Sequence, residues 1–397
     1  MRLSYLIITR NRRERLLDTL ERLERDTPAA AGPVECLVVD NASTDGTAEA
    51  VASRFPTVRL LALAENRGMP ARNVGIEAAR GRYLVLLDDD SYPLGDTVVR
   101  SMAYLDRTPA TAAVCGRVEL PDGTLEASAL PGVMIGCGTC LRRSVLDEVG
   151  GFPEDFFRQA EEYDLSFRLA GAGYRVERFE DLAYRHDKSP HGRSSELTVR
   201  MDLLNNLTLC DRYLPAGLRE AYRHDWQHRY TALGRAAGLD HVIGPALDEA
   251  RAASRAFPDE ARRTLGPSAV ERLLHLEATR DAIGRWAGVH GLHRVVLGAL
   301  GKNIFAAYRA CREVGLDVLA VQDESPAFIG ERYRELPVLS LEEVVELRPD
   351  GLVLTDVNPA RVRAKAETLR RRSAWPVLTL WRPASLHAVE ETRGRAA

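Results

Sequence analysis

The stretch Leu84-Val85-Leu86-Leu87-Asp88-Asp89-Asp90 is an apolar run that ends abruptly in three carboxylates. Apolar runs of this kind are typical of the buried strands of parallel sheets. In open α/β sheets, ligands bind beyond the carboxyl ends of such strands. Because Mg²⁺ and Mn²⁺ take oxygen ligands and often bridge to substrate phosphates, the three acids suggest a metal–diphosphate site. The alternative is a solvated acidic turn before Ser91-Tyr92-Pro93.

The residues that precede this stretch alternate between strand and helix patterns. Strands are predicted at 3–9, 34–39, 58–62 and 83–87, and helices at 12–25, 47–55 and 71–79. This βαβαβαβ order predicts a parallel sheet with right-handed crossovers. The first turn, Thr9-Arg10-Asn11-Arg12, lacks the glycine fingerprint of dinucleotide-binding folds. Phosphates bound here would therefore have to be held by a metal ion and by arginines.

The pattern changes after the acidic stretch. Short strands and turns predict an α+β region at 117–183, helices fill 195–285, and a second α/β unit begins at Arg294-Val295-Val296-Leu297. Its first turn contains Gly298 and Gly301, only a fragment of a dinucleotide fingerprint, although a phosphate would fit at the following helix N-terminus. We expect an α/β domain at 1–215, a helical extension at 216–289, a Rossmann-like α/β domain at 290–385 and a frayed tail at 386–397.

Composition narrows the class of protein. The 397 residues are 45% hydrophobic and 28% charged with a net charge of -3, which is ordinary for a globular protein and gives no sign of a nucleic-acid partner. No window reaches the roughly 18 unbroken apolar residues of a membrane span, and the N-terminal apolar run is too short for a signal peptide. The six cysteines are scattered, and Cys137-Gly138-Thr139-Cys140 lacks a second ligand pair for zinc. We expect a cytoplasmic protein.

Five groups of residues carry a specific resemblance. They are Ile8-Thr9-Arg10-Asn11-Arg12; 38–47, which reads Val-Val-Asp-Asn-Ala-Ser-Thr-Asp-Gly-Thr; Asn66-Arg67-Gly68 with Ala71-Arg72-Asn73-Val74-Gly75; Leu87-Asp88-Asp89-Asp90; and 150–157 followed by Glu161-Glu162-Tyr163-Asp164-Leu165. With these motifs in this order, residues 1 to about 215 resemble a family 2 glycosyltransferase of the GT-A fold. The resemblance implies an inverting, metal-dependent enzyme that moves a sugar from a nucleoside-diphosphate sugar to a hydroxyl group.

The resemblance also implies roles for single residues. Asp90 would bind Mn²⁺ or Mg²⁺ directly, Asp88 would reach the ribose or the metal, and His186 would be a third metal ligand. The donor would also contact Thr9, Arg12, Asp40, Asn66, Arg72, Asp89 and Arg193. The alternatives are a turn-forming role for Asp40, a structural histidine, surface arginines, and an ordinary polar loop around Arg193.

An inverting transferase needs a carboxylate that accepts the proton of the attacking hydroxyl. The family resemblance places this base in Glu161-Glu162-Tyr163-Asp164, where the family pair usually ends in Asp and this chain has Glu162. Asp164 is the second candidate. Its alternative is structural, because Asp164 and Arg168 are spaced i,i+4 on a helix and would pair.

The donor nucleotide and the acceptor stay open at this stage. UDP-, dTDP- and GDP-linked sugars all fit, and the acceptor would be a polysaccharide precursor, a lipid-linked glycan or a protein. Peripheral membrane association and homo-oligomers are compatible with the sequence. A sugar nucleotidyltransferase is a competing hypothesis, but such enzymes usually have a glycine-rich loop after strand one. A degenerate transferase acting as a binding or scaffold protein is another, and the intact Asp88 and Asp90 argue against it.

Overall fold

The computed structural model describes residues 1–188 and 195–389. The chain divides into two compact units. Among the described residues, the first unit contains 1–127, 133–188 and 383–389. The second unit contains 128–132 and 195–382. None of the described helices combines the length and the apolar character needed to cross a bilayer.

The first unit is built on one mixed sheet. Its strands are β1 (Leu3–Thr9), β2 (Val34–Asp40), β3 (Arg59–Ala62), β4 (Tyr83–Asp88), β5 (Ser91–Pro93), β6 (Thr111–Glu119), β7 (Leu125–Glu126), β8 (Thr139–Arg142) and β9 (Arg175–His186). Its helices are α1 (Arg13–Asp26), α2 (Thr47–Arg54), α3 (Arg72–Ala78), α4 (Thr97–Arg107), α5 (Ser144–Val149) and α6 (Glu161–Gly171). The strand order is β3-β2-β1-β4-β8-β6-β9-β5, and β7 pairs with β6.

The parallel half of this sheet is buried on both faces. Along β1, Tyr5 and Ile7 pack into one apolar cluster with Leu20 of α1, whereas Leu6 packs into another with Ile76 of α3. Alternate side chains of a strand point to opposite faces, so a strand covered on both sides reads as one continuous apolar run. The predicted α/β class and its four parallel strands are confirmed.

The register of the strands fixes the position of the acidic stretch. Thr9 of β1 pairs with Asp40 of β2, and Ile8 pairs with Asp88 of β4. Because the three strands are parallel, their carboxyl ends meet at one edge of the sheet. The polar residues that follow β1, β2 and β4 therefore lie near one another, as the sequence pattern predicts.

The second unit combines helices with a smaller sheet. Its helices are α7 (Ser195–Tyr213), α8 (Ala216–Ala236), α9 (Asp240–Arg255), α10 (Pro267–Leu274), α11 (Leu276–His290), α12 (Ile304–Glu313), α13 (Leu341–Glu346) and α14 (Pro359–Arg372). Its strands are β10 (Arg294–Gly298), β11 (Asp317–Gln322), β12 (Arg332–Tyr333), β13 (Leu336–Leu339), β14 (Gly351–Leu354) and β15 (Val377–Thr379). The order is β12-β13-β11-β10-β14-β15, and the run β13-β11-β10-β14-β15 has the 3-2-1-4-5 connectivity of a doubly wound sheet.

This division differs from the expected segments in two places. Helix α7 groups with the second unit and not with the N-terminal domain expected to reach residue 215. The expectation of a frayed tail is wrong for residues 386–389, because Leu386 is fully buried in the core of the first unit. The backbone N–H groups of Leu386 and His387 donate to Asp181, and Ala384 bridges to Phe179 of β9. The buried side chain of Leu386 and the hydrogen bonds to the Asp181 carboxylate hold this segment against the first unit.

Candidate functional site

Arg12 lies in the middle of the acidic turn that follows β4. Its guanidinium is 2.7 Å from Asp89 Oδ1 and donates to Asp90 Oδ2 at 2.5 Å. Thr9 Oγ1 donates to the other oxygen of Asp89 at 2.8 Å. The sequence suggested that Thr9, Arg12 and Asp89 contact a donor directly. In the structure, these three side chains are bonded to one another and to Asp90, so they hold the turn against the end of β1.

The three consecutive carboxylates have different environments. Asp89 and Asp90 are buried, whereas the side chain of Asp88 is 32% exposed. Burial raises the pKa of Asp89 to about 7, against the opposing effect of Arg12. Burial acts in the same direction on Asp90, but His186 and Arg12 outweigh it and lower the pKa of Asp90 to about 2. Asp88 is therefore the most exposed carboxylate of the three.

Arg72, the first residue of α3, connects this turn to helix α6. Its side chain is only 1% exposed, and its NH2 donates to Asp88 Oδ1 at 2.7 Å. Its NH1 is 4.0 Å from Glu161 Oε1, and the guanidinium lies 5.6 Å from the ring of Phe152. Burial raises the pKa of Glu161, and Arg72 opposes that rise. A buried arginine with these partners orients Asp88 and is not the surface charge that was the alternative to a donor contact.

His186, at the end of β9, faces the acidic turn with one ring nitrogen. Nε2 is 3.1 Å from Asp90 Oδ1 and 3.7 Å from Asp88 Oδ2, yet it has no aligned hydrogen-bond partner among the described residues. Nδ1 is 2.7 Å from Glu126 Oε2 and 3.4 Å from Cys137 Sγ. Burial would lower the pKa of His186, but the closeness of Asp90, Cys137 and Glu126 holds that pKa well above its usual range.

These side chains fit a divalent cation. Asp88, Cys137 and His186 each offer one ligand atom, and the three atoms lie within 4.8 Å of one another. The buried Nε2 of His186, directed at two carboxylates, is the kind of atom that a metal ion would satisfy. Glu126 supplies the carboxylate that commonly fixes the tautomer of a metal-binding histidine. Carboxylate oxygens suit Mg²⁺ and Mn²⁺.

Sequence reasoning missed Glu126 and gave Cys137 no role. Glu126 lies 60 residues before His186, on the two-residue strand β7. The turn at 121–123 was the only local signal that a hairpin would return here. Cys137 follows a glycine and precedes another, so its spacing from Cys140 indicated a loop and not a neighbour of a histidine.

Asp40 and its neighbours form a second group at the same edge of the sheet. Asp40 is buried, and its Oδ1 accepts a hydrogen bond from Ser43 N at 2.9 Å, as the turn-forming interpretation predicts. Asn41, which the sequence did not single out, accepts from Arg67 N at 2.8 Å. Asn66 Oδ1 accepts from the backbone N–H two residues later, at 3.0 Å. These bonds join the loop after β3 to the end of β2.

Arg193 was expected to contact the donor from a polar loop. It lies outside the described residues, as do the other members of that loop up to residue 194. Lys188, the last described residue before it, donates to Glu126 Oε1 at 3.1 Å. Glu126 therefore contacts both His186 and the residue that enters the loop.

The acidic cluster at the start of α6 separates into distinct environments. Asp164 is buried, and its Oδ2 accepts from Arg168 Nε at 2.8 Å. Arg168 also donates to the carbonyls of Gly150 at 3.2 Å and Gly151 at 2.5 Å. Asp164 thus belongs to a pair that fastens α6 to the preceding loop, as its i,i+4 spacing predicted. Glu162 is half-buried and is the most accessible acid of the cluster.

Comparison with known proteins gives two family matches. Residues 4–150 match the family described as "Glycosyl transferase family 2", and residues 123–200 match "Glycosyl transferase family group 2". The matched residues include the acidic turn, Glu126, Cys137, the start of α6 and His186.

Curated relatives and solved structures are also similar. The chain is 43% identical to the succinoglycan biosynthesis protein ExoO of Rhizobium meliloti, over 24% of this chain and 29% of that protein. It is 28% identical to N-acetylglucosaminyl-diphospho-decaprenol L-rhamnosyltransferase of Mycobacterium tuberculosis, over 37% of this chain and 64% of that protein. The chain thus spans less than two thirds of either relative. The mannosyltransferase PcManGT of Pyrobaculum calidifontis, solved with GDP-Man and Mn²⁺, is 20% identical with a TM-score of 0.43, over 79% of this chain and 87% of that one.

Proposed function

We propose that this chain is an inverting, metal-dependent glycosyltransferase, because residues 4–150 match the family described as "Glycosyl transferase family 2" and the first unit is an α/β domain with an acidic turn at the edge of its sheet. It takes a sugar from a nucleoside-diphosphate sugar and transfers it to a hydroxyl of a glycan or another acceptor. The observation that carries the proposal is the buried Nε2 of His186, which faces Asp88 and Asp90 without a hydrogen-bond partner among the described residues.

Asp88, Asp90 and His186 would hold Mn²⁺ or Mg²⁺. The ion, when bound, neutralises charge on the departing diphosphate. Glu126 Oε2 lies 2.7 Å from Nδ1 of His186 and keeps a proton on that nitrogen, so Nε2 is the nitrogen that would give up its proton and face the metal ion. Arg72 fixes Asp88 from the opposite direction through its 2.7 Å bond. The ligand set is therefore positioned before the donor arrives.

Glu162 is our candidate for the general base. The acceptor oxygen forms a bond to the anomeric carbon, the bond from that carbon to the diphosphate oxygen breaks, and the hydroxyl proton moves to the Glu162 carboxylate. The engagement of Asp164 by Arg168 at 2.8 Å supports this choice, because that carboxylate already has a buried cationic partner. Attack from the side opposite the leaving group inverts the configuration.

Donor and acceptor are proposed by class. Asp40 ends β2, where a carboxylate can accept the N3–H of a uracil or thymine ring, so UDP- and dTDP-sugars are the first choice and GDP-sugars the second. The acceptor is a polysaccharide precursor, a lipid-linked glycan or a protein. All six cysteines are free, which suits a reducing, cytoplasmic compartment. Peripheral membrane association and homo-oligomerisation stay compatible with this proposal.

A donor panel tests the proposal. UDP-, dTDP- and GDP-sugars are incubated with the full-length protein and Mn²⁺, and slow donor hydrolysis is measured beside thermal stabilisation by the free nucleotide. We expect one nucleotide class to be hydrolysed only with metal. Asp90→Ala should abolish this hydrolysis and the Mn²⁺-dependent part of the stabilisation. Full activity of Asp90→Ala that still requires metal would overturn the ligand assignment.

A further inference from the structure

Cys137 lies beside the proposed metal site although no role in the transfer reaction requires a thiol there. Its side chain is buried, and Sγ is 3.4 Å from His186 Nδ1. One oxygen of Asp88, Sγ of Cys137 and one nitrogen of His186 lie within 4.8 Å of one another. A tetrahedral cation with bonds of about 2.0–2.3 Å holds its ligand atoms roughly 3.3–3.8 Å apart, so small side-chain movements would bring these three atoms onto one ion.

The backbone places this thiol rigidly. Gly138, the next residue, donates to Leu86 O of β4 at 3.1 Å and accepts from Gly116 N of β6 at 3.2 Å. Its φ is +79°, and a Cβ there would lie 2.7 Å from Val118. Only glycine meets both conditions without strain. Gly138 is therefore fixed against β4, the strand that ends in Asp88, and Cys137 is the residue just before it.

We propose that Cys137 is a soft ligand that makes this site thiophilic, so that Asp88, Cys137 and His186 bind Zn²⁺ or Cd²⁺ as a three-residue set. The inference rests on the proposed function, because it concerns the same metal site. Carboxylate oxygens favour Mg²⁺ and Mn²⁺, whereas a thiolate favours Zn²⁺. Three protein ligands with an open fourth position are a common zinc arrangement.

Binding through sulfur requires an exchange of one proton for the metal. The Sγ–H bond of Cys137 breaks, the Sγ–metal bond forms, and the proton leaves to solvent. Mn²⁺ or Mg²⁺, held by the oxygens of Asp88 and Asp90 and by His186, does not need this step. Zn²⁺ and Mn²⁺ therefore compete for two shared ligands, and Zn²⁺ should inhibit transfer by occupying the position that the diphosphate-bound ion needs.

Cobalt is the probe, because Co²⁺ bound to a thiolate shows a charge-transfer absorption that oxygen and nitrogen ligands do not give. Full-length wild type, Cys137→Ser and Cys140→Ser are titrated with Co²⁺ in the absence of donor. Cys140 is the matched control, since it is also buried, lies three residues away on β8 and packs in the apolar core. We expect the band in wild type and in Cys140→Ser and its loss in Cys137→Ser.

Affinities provide a second measurement. Cys137→Ser should weaken Zn²⁺ and Cd²⁺ binding by at least about 10–100-fold, since that is the loss when only an outer partner of a ligand is removed, and should change Mn²⁺ affinity much less. Zinc inhibition of donor hydrolysis should weaken in parallel. Equal loss of Mn²⁺ and Cd²⁺ affinity would mean that Cys137 only supports the fold, and would overturn the inference.

The outcomes separate this inference from the proposed function. If wild type binds Co²⁺ or Mn²⁺ without a thiolate band, Cys137 is not a ligand, while the metal site of the transferase stands. If wild type binds neither ion, both proposals fail. A band that persists in Cys137→Ser also overturns the inference. Should that variant not fold, X-ray absorption at the zinc edge of the wild type decides, because a shell of oxygen and nitrogen alone excludes sulfur ligation.

Discussion

The carboxyl edges of the two sheets carry the same sequence signature and use it differently. In the first unit, Asp88 ends β4 with a partly exposed side chain directed at arginine and histidine. In the second unit, Asp323 follows β11, but its Oδ2 accepts from Leu300 N at 2.7 Å and its Oδ1 from Glu324 N and Ser325 N at 2.8 and 2.9 Å. An acid after an apolar strand thus indicates the edge of a sheet, and its partners decide whether it can bind a ligand.

Around the glycine-containing turn of the second unit, at residues 298–303, polar side chains are likewise bonded to other groups of the same unit. Nζ of Lys302, a residue of this turn, lies 3.3 Å from Asp202 Oδ1 and 3.3 Å from Asn206 Oδ1 of α7. Asp356, after β14, accepts from Asn358 N at 2.8 Å. A phosphate at this turn would have to displace bonds that the unit already makes.

The largest expected effect comes from replacing one acid at each sheet edge by its amide, because one acid is expected to bind metal and the other to stabilise the fold. Asp88→Asn removes a negative charge at the metal site. We expect it to lose several kcal/mol of transition-state stabilisation, which lowers the rate of donor hydrolysis by a factor on the order of 10⁴. Asp323→Asn should leave donor hydrolysis unchanged and lower the free energy of unfolding by about 1–3 kcal/mol. Hydrolysis rates and urea unfolding measure both effects. A folded Asp323→Asn protein without donor hydrolysis would show that the second edge takes part in the reaction.

Two neighbouring acids of α6 should also have separate roles, one in the reaction and one in stability. Glu162→Gln should lose about 10³ in transfer rate, the range for a positioned base, with donor affinity retained. Asp164→Asn should instead lower the free energy of unfolding by about 3 kcal/mol, because Arg168 loses its buried carboxylate. Transfer kinetics, nucleotide titration and urea unfolding are compared for both variants. If Asp164→Asn is inactive but stable and Glu162→Gln is active, the base is Asp164.

Glu126→Gln should weaken metal binding at the sheet edge of the first unit without removing a metal ligand. An amide accepts the Nδ1–H of His186 less strongly and can rotate to donate, so Mn²⁺ affinity should fall by about 10–100-fold. Glu119→Gln on the adjacent strand is the control, because Glu119 pairs with Arg117 and not with the histidine. Mn²⁺ titration of both full-length variants measures this. Equal affinities would remove Glu126 from the metal site.

Sequence predicted what depends on local pattern. The parallel strands follow from unbroken apolar runs, and the pairing of Asp164 with Arg168 follows from their i,i+4 spacing. The acidic turn at the edge of the sheet follows from its position after β4.

Contacts between distant segments could not be predicted in this way. The bond from His186 to Glu126 needs β9 and the two-residue strand β7 to pair with the same strand, β6, and so short a strand has no clear sequence pattern. The burial of Arg72 likewise depends on α6 packing nearby, because its position in a loop motif indicated a donor contact or a surface charge and not a buried partner of Glu161. The buried Leu386 depends on the last described residues returning to the first unit.

The returning segment predicts a moderate effect on the stability of the first unit. Leu386→Ala should lower the free energy of unfolding by about 2–4 kcal/mol, since it empties a fully buried leucine site. Val345→Ala in the second unit is the control, because that side chain is 40% exposed and should change stability little. Urea unfolding of both variants measures the difference. Equal, small losses would mean that the segment is not bound in solution.

The smallest expected effect is the pH dependence of the same attachment. Burial would raise the pKa of Asp181, but the N–H groups of Leu386 and His387, with Arg100, lower it to about 2. A carboxyl whose pKa is depressed in the folded state stabilises that state above its unfolded pKa of about 3.9 and loses the contribution as the pH falls toward the folded value. Wild type should therefore be more stable than Asp181→Asn at neutral pH, and the gap between their melting temperatures should narrow below about pH 4. A gap that stays constant down to about pH 2.5 would mean that the ionised carboxylate of Asp181 does not hold residues 386 and 387.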